Sequence, residues 1–302
     1  MDERKASVWL RIGWRLEAIG YDLMTALVRS LPVDVASDIG AWTLKALGPL
    51  TSIQKVVQKN LDFAFPEKDA AWKARIIKAQ WDNVGRAFVE FAIMDRIRIG
   101  NGRVVVENIE RLKEIAAEDK AVVFISGHFS NWEVMPAVIM EAGVNCVMTY
   151  RAANNPHVDK RIRDGRARYG VKLFAPKGGD GAKELLIRMA EGESVALMND
   201  QKFNQGIATP FFGHLVHTAP GPTRLAMRFG TVLQPMTVER LHKARFKVVV
   251  HDPIHVDSTG NRHADIESTV CKITKFIEDN VRARPEEWFW VHKRWPKEAY
   301  KK

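Results

Sequence analysis

The segment Ser126-Gly127-His128-Phe129-Ser130-Asn131-Trp132-Glu133 contains residue types that move protons in group transfer. An imidazole takes a proton from a hydroxyl near neutral pH, and a carboxylate can hold its tautomer and stabilise the resulting imidazolium. A hydroxyl has too high a pKa to attack a thioester unaided, so such a transfer needs a positioned base. His128 and Glu133 have a spacing that can bring ring and carboxylate together across a strand-to-helix turn. The same segment has a second reading: Ser130-x-x-Glu133 is the pattern of a capping box, in which Glu133 serves only the helix start. There is no HExxH pattern and no second histidine near His128, so a metal site is not expected. No serine or cysteine stands in a nucleophile elbow, so a covalent intermediate on the enzyme is not expected. The run Pro176-Lys177-Gly178-Gly179-Asp180-Gly181 lacks the spacing of a phosphate-binding loop and reads as a turn ahead of a helix.

The elements around the segment put His128 where a catalytic residue could stand and leave both readings open. Ala121-Val122-Val123-Phe124-Ile125 is a β-branched, buried-strand run, which puts His128 just past a strand's carboxyl end, where open α/β sheets bind ligands. Strands are also expected at Val104–Val106, Asn145–Tyr150 and Ser194–Met198, with helices around 131–142, 156–168 and 180–191. This alternation predicts an α/β fold, a mostly parallel sheet flanked by helices. Thr231–Glu239 and Phe246–His251 read as a paired strand unit, followed by a helix around 262–283. The first hundred residues have helical periodicity instead, with segments near 6–30, 35–47, 53–64 and 68–97. The expected organisation is a helical N-terminal portion over 1–100 and an α/β core over 101–302.

Net charge is +10, and nine tryptophans occur among 302 residues. Basic charge with aromatics suits an anionic membrane surface or nucleic acid, and charge alone does not separate them. Cys146 and Cys271 lie in apolar stretches without a CxxC pattern, which predicts buried, inert thiols in a reducing compartment. Arg11, Arg15, Glu17, Asp22 and Arg29 interrupt the N-terminal apolar run, which argues against a cleavable signal and against a spanning helix. Arg11, Arg15, Asp22 and Arg29 share one stripe at helical spacing, and Trp9, Leu16, Ile19, Leu23 and Leu27 lie off it. That pattern fits a helix lying in a membrane interface, or equally one packed on the protein's own core. Tryptophans interleaved with His292, Lys293 and Arg294 near the C-terminus also suit an interface, or a stacking surface for single-stranded nucleic acid.

The fragment GHFSNWE, with the stretches that follow it, resembles the bacterial lipid A (late) acyltransferase family, which carries an HxxxxE variant of the acyltransferase HxxxxD motif. The resemblance continues through Tyr150-Arg151, Asn155-Pro156, Arg163, Gly165-Arg166-Ala167-Arg168 and Asn199-Asp200-Gln201. It then covers Phe211-Phe212-Gly213, Thr218 with Gly221, Leu225-Ala226 and Trp288 to Trp295, all in the right order. It implies a glycerolipid acyltransferase-like fold and an enzyme on the cytoplasmic face of the inner membrane, with no cofactor. Acyl carrier protein would supply the acyl chain, and a lipid A precursor would supply the accepting hydroxyl; nucleic acid is not an implied partner. By position, His128 is the implied general base and Glu133 its orienting partner. Arg151, Arg168, Asp200 and Arg294 match polar positions and are the implied substrate-binding residues, with Arg166 an alternative to Arg168. Two positions depart from the family: Ser130 stands where glycine is frequent, and Lys202 where a second acidic residue is. The charge reversal at Lys202 leaves other acceptors open, among them a lysophospholipid, a glycolipid mannoside or an ornithine lipid. A non-enzymatic basic membrane- or nucleic-acid-binding protein is the reading from a different class.

Overall fold

The computed structural model describes residues 7–118, 120–150, 152–176 and 179–300. The N-terminal periodicity becomes four helices: α1 (Val8–Ser30), α2 (Val33–Leu47), α3 (Ile53–Ala64) and α4 (Ala70–Glu90). Ser7 and Asp69 cap α1 and α4, accepting from the backbone N–H of Leu10 and Trp72 and satisfying one orphan donor each. The helix expected to reach 97 ends at Glu90. Beyond it the chain tightens into a 3-10 segment over Phe91–Arg96, with Ile93 at φ −130° and ψ 21°. Helices α2 and α4 pack tightly where Gly40 faces Gly85, and a Cβ on either would overlap the other's carbonyl.

Helix α1 is turned opposite to an ordinary surface helix. From its charged stripe, Asp22 pairs with Arg161, and Arg29 pairs with Asp95 at 2.7 Å while donating to the Ala92 carbonyl. Arg11 and Arg15 stay exposed. On the apolar side Leu16, Leu23 and Leu27 are exposed and Trp9 is 83% exposed; Trp42 of α2, at 72%, and Leu50 extend the uncovered apolar surface. No described helix is long and apolar enough to cross a membrane.

From residue 104 the expected alternation builds a seven-stranded sheet among the described residues. Its strands are β1 (Val104–Glu107), β2 (Val123–Ser126), β3 (Cys146–Tyr150), β4 (Lys172–Pro176), β5 (Ser194–Met198), β8 (Leu233–His242) and β9 (Arg245–Val250). The order is β1-β9-β8-β2-β5-β3-β4. Strands β8, β2, β5, β3 and β4 run parallel, β9 runs antiparallel to β8, and β1 is parallel to β9. Between them, β6 (Ile207–Phe211) and β7 (His214–Thr218) form a separate hairpin. Helices α5 (Ile109–Glu118), α6 (Val134–Glu141), α7 (Pro156–Ala167), α8 (Gly179–Ala190), α9 (Gly221–Phe229) and α10 (Arg262–Ala283) connect or cover the strands. Strand β4 and helix α5 were not foreseen, because one is a five-residue run ending in proline and the other is dominated by charge.

One continuous core joins the helical portion to the sheet, from Val57 and Leu61 of α3 through Val123 and Val195 to Trp290. Cys146 is fully buried and burial pushes its thiol up; Cys271, expected to be buried, is only half-buried on α10. The helix crossing generates a paired prediction. Gly85→Ala should cost about 1–3 kcal/mol through overpacking. Gly20→Ala, with no neighbour within 4 Å of the added carbon, should stabilise α1 by a few tenths to about 1 kcal/mol. Urea unfolding of the two variants checks both signs.

Candidate active site

Two neighbouring parallel strands set the geometry. Strands β2 and β5 pair with Ser126 opposite Met198, so His128 and Asp200 each lie two residues beyond matched strand ends. The Asp200 carboxylate is fully buried directly against the histidine. Its Oδ1 lies 2.7 Å from His128 Nδ1, and its Oδ2 accepts from the His128 backbone N–H at 2.8 Å. Gly127 makes this approach possible, since a Cβ there would press on the Phe129 ring and lie 3.3 Å from Asp200 Oδ2. Burial alone would raise the Asp200 pKa. The His128 charge and its hydrogen bonds overcome that and hold the carboxyl well below the usual carboxylate range. An ionised Asp200 fixes the proton on Nδ1 and leaves Nε2 as the basic nitrogen.

The C-terminal segment closes over this pair. Trp288 Nε1 donates to Asp200 Oδ2 at 2.9 Å. Trp288 also bridges to Phe129 in antiparallel fashion, the Phe289 N–H donates to the His128 carbonyl, and the Ser130 N–H donates to the Glu287 carbonyl. The tail tryptophans expected at an interface are therefore internal: Trp288, Trp290 and Trp295 are all buried. Ser130 sits at φ 47°, a left-handed conformation that glycine adopts at lower cost.

Glu133 does not hold the histidine. It forms a two-pronged ion pair with Arg166, one prong at 2.9 Å, and accepts from the Tyr169 hydroxyl at 2.8 Å; among the described residues it has no hydrogen bond to His128. The physical reason is the turn between them, which directs Glu133 toward α7 while Asp200 comes up beside the ring from the adjacent strand. The capping box does not form either. Asn131 Oδ1 accepts the Glu133 N–H, and among the described residues Ser130 Oγ has no partner.

The other expected positions separate. Asp200, assigned to substrate, has no exposed surface and serves His128 instead. Arg294 is likewise buried. It donates to Thr218 Oγ1 at 2.7 Å and to the carbonyls of His217 and Gln201, and its guanidinium lies over the Phe211 ring. Burial pushes its pKa down to about 10, which leaves it a cation at neutral pH. It anchors the chain behind the site and has no surface to offer a substrate. Arg168 is exposed at the end of α7 on the wall of a cavity, which Arg166 also lines. Arg151 lies outside the described residues. The sequence gives no role to Tyr169 or Gln201, and it places Trp288 at an interface rather than behind the histidine. The available signal for the histidine–aspartate pair was the equivalence of two residues at neighbouring strand ends.

The cavity holds about 700 Å³, within the range of organic-ligand sites. Strands β2, β3, β5 and β8 and helix α6 supply an apolar wall that includes Phe124, Met135, Ile139, Met148 and Met236. Helices α1 and α7 supply polar groups, among them Tyr21, Arg161, Arg166 and Arg168; His128 and Glu133 lie on the boundary. The arrangement offers a held base beside a hydrophobic chamber with cations at its edge, which suits transfer chemistry on an amphipathic substrate.

A histidine held by a buried carboxylate at the end of a parallel strand, beside an apolar cavity, is an arrangement suited to group transfer, and sequence comparison supplies the family. The profile for bacterial lipid A biosynthesis acyltransferases matches residues 14–297, and the chain belongs to that family. A lipid A biosynthesis lauroyltransferase of Escherichia coli (strain K12) is 24% identical over 278 residues, covering 89% of this chain and 87% of the relative. A palmitoleoyltransferase of lipid A biosynthesis from the same strain is 22% identical over 250 residues, covering 80% and 78%. A phosphatidylinositol mannoside acyltransferase of Mycolicibacterium smegmatis (strain ATCC 700084 / mc(2)155) is 22% identical over 303 residues, covering 94% and 93%.

Glu287 gives the seam between tail and site a pH dependence. Its Oε1 accepts from the Arg240 N–H at 3.1 Å, and burial pushes its carboxyl from 4.5 up to about 7. A carboxyl raised on folding stabilises fully below its unfolded value, and that stability is lost as pH rises through about 7. Glu287→Gln removes this titration. In urea unfolding the variant should gain on the wild type between pH 5 and 8, by of order 3 kcal/mol. Curves that stay parallel across that range would contradict the buried-acid assignment.

Proposed function

We propose that this acyltransferase moves a fatty acyl chain from an acyl carrier protein thioester to a hydroxyl of a lipid A precursor, with His128 as general base. The observation that carries the reading is the 2.7 Å contact of His128 Nδ1 with a buried aspartate, beside an apolar chamber of about 700 Å³. His128 Nε2 takes the hydroxyl proton and the oxygen attacks the thioester carbonyl. The tetrahedral intermediate then expels the thiolate, which takes the proton back from the imidazolium. Asp200 carries no proton in this cycle; it holds the ring and stabilises the transient cation. Arg166, fixed by Glu133, and Arg168 at the cavity wall supply positive charge for anionic groups of the acceptor. Direct transfer needs both substrates together, and the cavity supports binding of the acyl chain close to the base.

A glycolipid mannoside acceptor is the second reading. It is favoured by the near full-length similarity to the mannoside acyltransferase and by Lys202, which puts a cation where the family frequently has an acid. Membrane attachment through α1 and α2 fits either acceptor, because among the described residues nothing covers the outward apolar side of α1 or Trp42. The net charge of +10 suits both anionic lipid and an acidic carrier protein.

The test is a transfer assay with acyl carrier protein bearing labelled chains of several lengths. The acceptors are tetra-acylated lipid A precursor, phosphatidylinositol mannoside and a lysophospholipid. His128→Ala should lower turnover by about 10²–10⁴-fold with its fold intact. Retention of full turnover by His128→Ala would remove the histidine from the mechanism, and the acceptor that is used decides between the two readings. For attachment, the triple change Trp9→Ser, Leu23→Ser, Trp42→Ser should weaken binding to vesicles containing phosphatidylglycerol by about tenfold or more. Unchanged vesicle binding would contradict docking through α1 and α2.

A further inference from the structure

We propose that the side-chain amide of Gln201 is the donor that stabilises the oxyanion of the transfer reaction, an assignment that rests on the reading of His128 as base. Gln201 Nε2 lies 3.4 Å from His128 Nε2. Because Nδ1 carries the proton shared with Asp200, Nε2 is an acceptor, and the amide can face it only with its NH2 group. The contact is long, and an acceptor hydroxyl binding Nε2 at about 2.8 Å displaces it. The freed amide then stands next to the carbon that the hydroxyl attacks. A near-attack carbonyl lies about 3–3.5 Å from that oxygen, within reach of a donor already packed beside the ring.

Two buried or half-buried arginines near the site have protein partners, and Arg168 stands exposed on the cavity wall. Arg166 is held by Glu133, and Arg294 is turned away into the core against Thr218 and His217. Gln201, by contrast, is fixed at its backbone. It follows the buried Asp200, and its carbonyl accepts from Arg294 Nη1 at 3.4 Å. The rings of Trp132 and Phe289 crowd the histidine, with centroids 5.0 and 6.1 Å from it, and lower the local polarity in which a neutral donor acts. In the reaction the hydroxyl proton goes to His128 Nε2 and the new carbon–oxygen bond forms. The carbonyl π electrons move onto oxygen, where the Gln201 N–H meets them. When they return, the carbon–sulfur bond breaks and the thiolate leaves with the proton from His128. Gln201 exchanges no proton and no bond; it meets charge present only at the tetrahedral stage.

The experiment compares wild type, His128→Ala, Gln201→Ala and Gln201→Glu in acyl transfer from acyl carrier protein to the three acceptors named above, with thermal midpoints measured in parallel. Gln201→Ala should lower kcat by about 10²–10³-fold with KM for both substrates changed by less than about threefold. Gln201→Glu keeps the shape, loses the donor and adds a negative charge, so it should be at least as slow while melting with the wild type. A purely structural glutamine would instead lose thermal stability and tolerate the isosteric change. Variants that keep kcat within threefold of wild type while His128→Ala is inactive overturn the oxyanion assignment alone, as does a loss confined to KM. An active His128→Ala, or a wild type that transfers to none of the acceptors, overturns the base assignment and this one with it.

Discussion

The Asp200 carboxylate is a buried negative charge, and most of the site can be understood as what is needed to keep it there. An ion removed from water is strongly destabilising unless paired and hydrogen-bonded. Asp200 is compensated by the His128 ring, the His128 backbone N–H and the Trp288 indole, three donors from two distant parts of the chain. Each donor also carries structural information. The backbone N–H fixes the turn after β2, the ring takes one tautomer and one orientation, and the indole pins the C-terminal segment over both. His292 lies close behind, and burial pushes its pKa down to about 4, so it adds no competing positive charge at neutral pH.

A second buried carboxylate links the helical portion to the same turn. Glu90, at the end of α4, accepts from Ser37, from Asn131 and from both terminal nitrogens of Arg240 on β8. Asn131 in turn accepts the N–H of Glu133 at the start of α6. The α4 helix and the β8 strand therefore bear directly on the segment that carries His128. The same helical portion supplies cavity wall through Tyr21 and Thr25 of α1 and leaves the opposite side of α1 uncovered. In this architecture the surface proposed to meet lipid and the chamber proposed to receive it share one helix.

The fold class was legible because the signals were local. β-branched runs at 121–125 and 194–198 and helical periodicity between them required a covered parallel sheet, and the first hundred residues had only helical period. The position of His128 past a strand end was legible for the same reason. Its partner was not. Spacing within one segment favoured Glu133, whereas the carboxylate that arrives comes from residue 200 through the pairing of Ser126 with Met198, a non-local fact that a single sequence does not print. Arg294 misled in a related way, since an arginine among tryptophans reads as an interface until burial shows it bonded to carbonyls. The charged stripe on α1 was correct as a pattern, but which side met the protein depended on Arg161 and Asp95, remote acceptors and donors that periodicity does not reveal.

Asp200, and not Glu133, holds the His128 ring. Proton NMR of histidine-labelled protein reads this directly, through the low-field resonance of a His128 Nδ1–H shared with a carboxylate. This resonance should be present in the wild type, survive Glu133→Gln and be lost in Asp200→Asn. A resonance that persists in Asp200→Asn and disappears in Glu133→Gln would contradict the pairing of His128 with Asp200.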